Sequence, residues 1–155
     1  MTPSADIRIV PALERDTPII LSLIKDLAEY ERLGHEVEAT EEDIRESLFG
    51  DWPGAEVVLA YVGGDLAGFA LFFHNYSTFL GKPGLYLEDL FVIPEARGKG
   101  VGKALLLHLK ALAIARGCGR MEWAVLDWNA PAIGFYKKLG ALVMDDWRIC
   151  RLNLP

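Results

Sequence analysis

The stretch that decides the fold is YLEDLFVIPEARGKGVGK, residues 86–103. A strand-like run ends at Pro94, and an apolar-periodic helix starts after the turn that follows. This turn holds three alternating glycines, Gly98, Gly100 and Gly102. Glycines let backbone N–H groups approach an anion, and a helix N-terminus adds a partial positive charge. The stretch therefore predicts a phosphate site, and the acids Glu88 and Asp89 in its strand indicate enzyme chemistry beside it.

The glycine turn can be compared with three phosphate-binding sequence patterns, and it matches only one of them in full. A Walker A loop fails twice, because Arg97 stands where its first glycine belongs and Ala104 where it has Ser or Thr. A dinucleotide fingerprint has Lys103 in place of its third glycine, but Glu122 lies at the distance of a ribose-binding acid and keeps this alternative open. The pattern Arg-x-x-Gly-x-Gly, which starts at Arg97, is complete.

Length and composition predict one domain with a sizeable core, since the chain has 155 residues. The net charge of −6 argues against nucleic-acid binding and fits a cationic or amine-bearing small molecule. Cys118 and Cys150 lack metal-ligand spacing, so we expect reduced thiols in a cytoplasmic protein. We expect no metal site, no signal peptide and no membrane span, because the histidines are scattered and no apolar run is long enough.

Periodicity and capping residues predict the element order βααβββαβαβ, with one further strand at the end. The predicted strands cover residues 6–10, 56–62, 66–73, 85–93 and 121–128, and a final hairpin covers 141–154. The predicted helices run from Asp16 to about Leu33, from Thr40 to Phe49, from the glycine turn to Gly117, and from Asn129 to Gly140. Residues 75–84 are expected to form a loop. This order indicates a single mixed α/β layer structure.

Alternation along the strand of the opening stretch predicts two faces. One carries Tyr86, Glu88 and Leu90, and the other carries Leu87, Asp89 and Phe91. Without a bulge, only one of the two adjacent acids faces the cleft.

Two motifs together resemble those of the GCN5-related N-acetyltransferase (GNAT) family. The complete Arg-x-x-Gly-x-Gly pattern resembles its pyrophosphate loop, and Asn129-x-x-Ala132-x-x-Phe135-Tyr136-x-x-x-Gly140 resembles its second motif. The resemblance implies an α/β (α+β) fold in which helices flank both faces of a mixed, mostly antiparallel central sheet. It also implies that residues 1–155 form a single GNAT domain.

Short segments along the chain resemble the diamine acetyltransferase subfamily, and most closely its thialysine branch. They are IKDLAEYE (24–31), FGDWPG (49–54), YSTFLGK (76–82), LYLED (85–89), AVLDWNAP (124–131) and GFYKKLGA (134–141). The resemblance implies direct acetyl transfer from acetyl-CoA to a primary amine, without a covalent enzyme intermediate, by a homodimer. A spermidine/spermine acetyltransferase and a non-catalytic acyl-CoA-binding regulator are the alternatives.

The resemblance also implies which residues meet the cofactor. They are Leu90, Phe91, Val92, Arg97, Gly98, Lys99, Gly100, Val101, Gly102, Lys103, Asn129 and Tyr136. Backbone N–H groups from 97 to 103 would bind the pyrophosphate, and the strand 90–93 would pair with the pantetheine arm. The lysines add positive charge or are solvated surface residues, and Arg97 either contacts phosphate or shapes the loop.

The catalytic residues implied by the resemblance are Glu88 and Tyr136. A primary amine has a pKa near 10, so it needs a base, and Glu88 is expected to act as one through a water. Tyr136 is expected to protonate the departing thiolate, or it is a half-buried helical aromatic. Asp89 is expected to be a structural acid.

The amine pocket is expected around the end of the first helix and in the segment after the hairpin. Tyr30 and Glu31 would hold a distant cationic group, as the subfamily resemblance implies, or Glu31 is a solvated helix-end charge. Ser77 and Thr78 replace an acid-containing loop of the polyamine enzymes and resemble the thialysine branch. This favours a short amine or an amino-acid-like substrate over spermidine and spermine.

Overall fold

The structure is a computed structural model that describes residues 6–155, and the chain divides after Ala124 into two units. The first unit contains the strands β1 (Ile7–Pro11), β2 (Glu56–Val62), β3 (Asp65–Ser77), β4 (Lys82–Val92) and β5 (Arg120–Trp123). It also contains the helices α1 (Thr17–Tyr30), α2 (Glu41–Phe49) and α3 (Val101–Ala115). The second unit, Val125–Pro155, contains α4 (Ala130–Lys138).

The sheet has the order β1-β2-β3-β4-β5. Neighbouring strands from β1 to β4 are antiparallel, and β5 is parallel to β4. The turn between β2 and β3 uses Gly63 and Gly64 at φ 58° and 90°, a backbone region that favours glycine in two-residue hairpins. The predicted mixed, mostly antiparallel sheet is confirmed.

Helices of the first unit cover both faces of this sheet. On one face α1 and α2 share a buried core with the sheet, formed by Ile20, Leu23, Leu27, Leu48, Val57, Leu59, Phe69 and Phe91. Ile20, Leu59 and Phe69 are fully buried, and each contributes about 1.5–3 kcal/mol of transfer free energy. On the other face α3 begins against β4, where a Cβ added to Gly102 would lie 3.7 Å from Val92 Cγ2.

The far end of α3 is tied to the sheet by Arg116. Its guanidinium donates to both carboxylate oxygens of Glu56, at 2.6 and 2.9 Å. These bonds lower the pKa of Glu56, because they stabilise the charged carboxylate. This bidentate pair helps to hold the helix whose N-terminus follows the glycine turn.

The N-terminus of α2 follows local capping chemistry, and the C-terminus of α1 is an exception to it. The predicted capping box of α2 is confirmed: Thr40 N donates to Asp43 Oδ2 at 2.9 Å, and Asp43 N donates to Thr40 Oγ1 at 3.2 Å. The exception is α1, which ends at Tyr30 instead of near Leu33. Arg32 adopts φ 64° there, and Leu33 N donates to Ala28 O, a reversal for which glycine is the usual residue.

Three further predictions from the sequence were wrong. The expected loop 75–84 is mostly strand, because the cross-strand bonds of β3 and β4 continue to the pair Ser77 and Lys82. The predicted strand 121–128 stops at Trp123, where the chain enters the turn that precedes α4. Residues 141–154 form no strand within the second unit, which contains only a turn between Met144 and Trp147 there. An alternating apolar segment forms a strand only if a neighbour supplies hydrogen bonds.

Candidate active site

A β-bulge lies at Glu88. In the register of β3 and β4, Leu71 pairs with Asp89 and Phe72 pairs with Leu87, so Glu88 has no opposite residue. Such an extra residue bends its strand and re-aims the neighbouring side chains. Glu88 is exposed, whereas Asp89 is partly buried.

The bulge changes which residues share a face. Tyr86 and Asp89 lie opposite Phe73 and Leu71, two alternating positions of β3, and therefore share one face. This face continues to Phe91 in the core under α1. The predicted alternation, which put Asp89 on the face away from Tyr86, was therefore wrong, because one inserted residue reverses the order of the faces.

Three carboxylates gather around this bulge: Glu88, Asp89 and Glu31, the residue that caps the C-terminus of α1. Burial raises the pKa of Asp89 to about 6, with further contributions from the negative charges of Glu88 and Glu31. Burial and the charge of Glu88 also raise the pKa of Glu31. A group of this kind attracts a cation, and its most buried member, Asp89, exchanges its proton near neutral pH.

The acidic surface continues past the bulge to β5. Tyr86 lies between two acids, since burial and then the charges of Glu88 and Glu122 raise the pKa of its phenol. Glu122 lies next to Tyr86 in the parallel register, accepts from Asn75 Nδ2 at 3.4 Å and pairs with Arg120 Nε at 3.2 Å. Reasoning from sequence missed Tyr86 and Asn75 and considered Glu122 only for a ribose. The parallel pairing of β4 with β5 is the signal that would have found them.

The glycine turn forms an open cradle. Gly98 and Gly100 have φ 81° and 85°, and a Cβ added to either would meet nothing within 4 Å. Gly100 caps α3, so backbone N–H groups of the first helical turn, from Val101 onward, lack partners within the helix. Lys99 and Lys103 are exposed nearby. These features fit a pyrophosphate group.

The edge of β4 beyond the bulge is open. Strand β5 pairs with β4 only from Gly84 to Leu87, and within residues 6–124 no other strand takes over along that edge. The backbone of Leu90, Phe91 and Val92 can therefore pair with an extended ligand there, next to the glycine turn. This edge fits a pantetheine arm.

Arg97 turns toward the sheet and the end of α1. Its Nε donates to Val92 O at 3.1 Å, and its guanidinium carbon lies 5.4 Å from the ring centre of Tyr30 and 5.6 Å from that of Phe91. Of the two expected roles, these contacts favour shaping the loop.

Ser77 and Thr78 lie away from the carboxylates. They are at the β3–β4 hairpin tip, where Ser77 is buried and its Oγ accepts from Leu80 N at 3.2 Å. Glu88 lies six positions along the strand from Lys82, the partner of Ser77, which is a distance of about 20 Å. The first unit therefore brings Tyr30, Glu31, Glu88 and Arg97 together, but not Ser77 and Thr78.

Asn129 and Tyr136 belong to the second unit. Asn129 Oδ1 accepts from Ala132 N at 3.3 Å and caps α4, as its position before a proline predicted. Tyr136 lies in the last turn of α4, with its ring centre 5.7 Å from that of Phe135.

Comparison with known proteins identifies the family. The pattern of the acetyltransferase (GNAT) family matches residues 20–141. The L-ornithine N5-acetyltransferase of Arabidopsis thaliana is 35% identical over 94% of this chain and 84% of its own length. The thialysine N-epsilon-acetyltransferase of Mus musculus is 37% identical over 88% of this chain and 85% of its own length.

Among solved structures, an integron cassette protein from the mobile metagenome of V. cholerae has a TM-score of 0.79 and 27% identity. The match covers 98% of this chain and 94% of that one. The chain therefore belongs to the acetyltransferase (GNAT) family, and it is an N-acetyltransferase.

Proposed function

We propose that the protein transfers an acetyl group from acetyl-CoA to the primary amine of a small molecule. The observation that carries this proposal is the group of three carboxylates at the bulge. Glu88 and Asp89 lie in the strand that leads into the glycine cradle, and Glu31 lies at the end of α1. The carboxylates attract a cation, and the glycine turn that follows the same strand can bind an anion. This arrangement would bring an amine next to a phosphate-bearing donor.

Backbone groups hold the donor in this proposal. The N–H groups from Gly98 to Lys103 bind the pyrophosphate, and Lys99 and Lys103 add positive charge. The N–H group of Arg97 donates instead to Pro94 O at 3.2 Å. The open edge of β4, at residues 90–92, pairs with the pantetheine arm. The bound thioester supplies an activated acetyl carbonyl group.

Side chains of this chain move the protons. Glu88 accepts a proton from the ammonium group through a water, which makes the amine nucleophilic. The amine nitrogen then bonds to the acetyl carbon, the carbon–sulfur bond breaks, and the nitrogen releases its second proton to water. The phenol of Tyr136 donates its proton to the thiolate and regains a proton from solvent. Asp89 and Glu31 add negative charge that holds the ammonium group near Glu88. The role of Tyr136 as proton donor rests on the family resemblance. The placement of Asn129 beside the cofactor rests on the same resemblance.

The acceptor in this proposal is thialysine, a lysine-like amino acid such as ornithine, or a short diamine. The relatives that act on thialysine and ornithine support it, as does the acidic surface from Glu31 to Glu122. The paired Arg120 and Glu122 offer charges of both signs to an amino acid's carboxylate and amino groups. Ser77 and Thr78 give less support to this choice of acceptor than the sequence suggested, because the hydroxyl of Ser77 accepts a hydrogen bond from Leu80 N in the hairpin turn.

A thiol-release assay with acetyl-CoA tests this function. We expect kcat/KM for thialysine or ornithine to exceed that for spermine at least about tenfold, since a compact cluster recognises a short cation. Lysine, short diamines and spermidine complete the panel. A preference for spermine would contradict the acceptor class. Calorimetric binding of acetyl-CoA without thiol release on any amine would instead indicate a non-catalytic regulator.

The protein is proposed to be a homodimer. Large apolar side chains of the C-terminal segment are exposed, namely Leu142, Val143, Met144, Trp147, Ile149, Leu152 and Leu154. Apolar surface of this extent is typical of an association face, and a second copy is the occupant that we propose. Sedimentation equilibrium should give twice the chain mass of 17.2 kDa; the monomer mass at micromolar concentration would contradict the dimer.

Both units are proposed to work as one catalytic domain in the cytoplasm. The unpaired thiols of Cys118 and Cys150 support a reducing compartment. Across residues 6–155, no helix combines the length and the apolar character that crossing a bilayer requires. Subcellular fractionation tests the location.

A further inference from the structure

Arg97 connects three parts of the first unit. It belongs to the glycine turn, its Nε donates to the carbonyl oxygen of Val92 at 3.1 Å, and its guanidinium lies over the rings of Tyr30 and Phe91 at 5.4 and 5.6 Å. Tyr30 is the last residue of α1, and Phe91 lies two positions after Asp89 in β4. One side chain of the phosphate loop therefore contacts the elements that carry the carboxylates.

The end of α1 needs such support. The helix ends by a reversal at Arg32, whose φ of 64° is costly for a residue with a side chain. Glu31 lies between this residue and the stacked Tyr30. A stack that holds Tyr30 therefore also limits where the carboxylate of Glu31 lies relative to Glu88. Burial and the negative charge of Glu88 raise the pKa of Glu31.

We propose that Arg97 is a positioning residue for the acceptor amine: by stacking on Tyr30 and Phe91 it holds Glu31 beside Glu88. This inference rests on the proposed function and deepens it. It assigns to the first residue of the phosphate-loop motif an effect on the amine, in addition to any effect on the donor.

A double-mutant cycle tests the coupling between Arg97 and Tyr30. Arg97→Met removes the cation, Tyr30→Leu removes the ring, and amine KM is measured at saturating acetyl-CoA. We expect each single change to raise amine KM about threefold to tenfold and the double change to raise it no further, since both remove one interaction. Calorimetry should show a smaller change in the Kd of acetyl-CoA. Tyr30→Phe keeps the ring face and should retain the coupling to Arg97.

Arg8 provides a matched control. Its guanidinium lies 5.3 Å from the ring centre of Tyr61, on β1 and β2. Arg8→Met removes an equivalent stack away from the carboxylates, so amine KM should stay within about twofold of the wild-type value.

Two outcomes would overturn the inference. If Arg97→Met weakens only acetyl-CoA binding, Arg97 is a phosphate ligand and no positioning residue. If the effects of Arg97→Met and Tyr30→Leu on amine KM multiply, the two side chains act independently. Failure of the proposed function gives a different result, because the wild-type protein would then release no thiol with any amine.

Discussion

Replacing Glu88 with glutamine is expected to lower kcat/KM for the amine about a hundredfold to ten-thousandfold at pH 7, with little change in the Kd of acetyl-CoA. The amide keeps the size of the side chain but cannot accept the proton of the ammonium group. The defect should shrink as pH rises toward about 10, because solvent then deprotonates the amine. Steady-state kinetics from pH 6 to 10 measures both effects.

The control for Glu88→Gln is Asp65→Asn, at an exposed carboxylate beside the β2–β3 turn. This change also removes one negative charge, and it should leave kcat/KM unchanged. Full turnover by Glu88→Gln, combined with loss of turnover in Asp89→Asn, would move the role of base to Asp89. The pKa of Asp89, raised to about 6 by burial and by Glu88 and Glu31, makes that carboxylate the next candidate.

Replacing Gly100 with alanine is expected to weaken acetyl-CoA binding about tenfold to a hundredfold. Gly100 has φ 85°, so a side chain strains the residue that caps α3 even though a Cβ there meets no atom within 4 Å. Relief of this strain turns the N–H groups of the cradle away from the pyrophosphate, and a hydrogen bond to a charged group contributes about 1.5–3 kcal/mol. Isothermal titration calorimetry with acetyl-CoA measures the loss.

Gly64→Ala separates this effect from general destabilisation. Gly64 has φ 90° and equally open surroundings, but it lies in the turn between β2 and β3. Both variants should lose about 1–2 kcal/mol of unfolding free energy, the cost of a left-handed residue with a Cβ. Only Gly100→Ala should lose affinity for acetyl-CoA. If the two variants bind acetyl-CoA with equal affinity, the glycine turn does not belong to the donor site.

Sequence was sufficient where structure depends on local chemistry. The Thr40–Asp43 capping box, the Gly63–Gly64 hairpin and the glycine turn before α3 follow from side-chain oxygens and glycine φ angles within a few residues. The family also followed, because the motif at Arg97 and the one at Asn129 are both local patterns.

Sequence was insufficient where the structure depends on pairing between distant strands. Glu88 and Asp89 obey strict alternation if β4 is read alone, yet the register with β3 inserts a bulge between them. The contact of Arg97 with Tyr30 joins residues 67 positions apart in sequence, and no local pattern encodes it. Neighbouring residues in the sequence suggested Ser77 for the amine pocket, and only the fold shows that its hydroxyl accepts the hairpin-turn hydrogen bond from Leu80 N.

The opening stretch, residues 86–103, therefore determined by itself the glycine turn before α3, and together with the motif that starts at Asn129 it determined the family of the protein. Both depend on the order of residues along the chain. Only the tertiary structure decided how the acids are arranged. The fold raises the pKa of Asp89 to about 6 by burying it and by bringing Glu31 and Glu88 close. Burial and through-space charge depend on which strands and helices meet, and one inserted residue in a ladder is enough to change them.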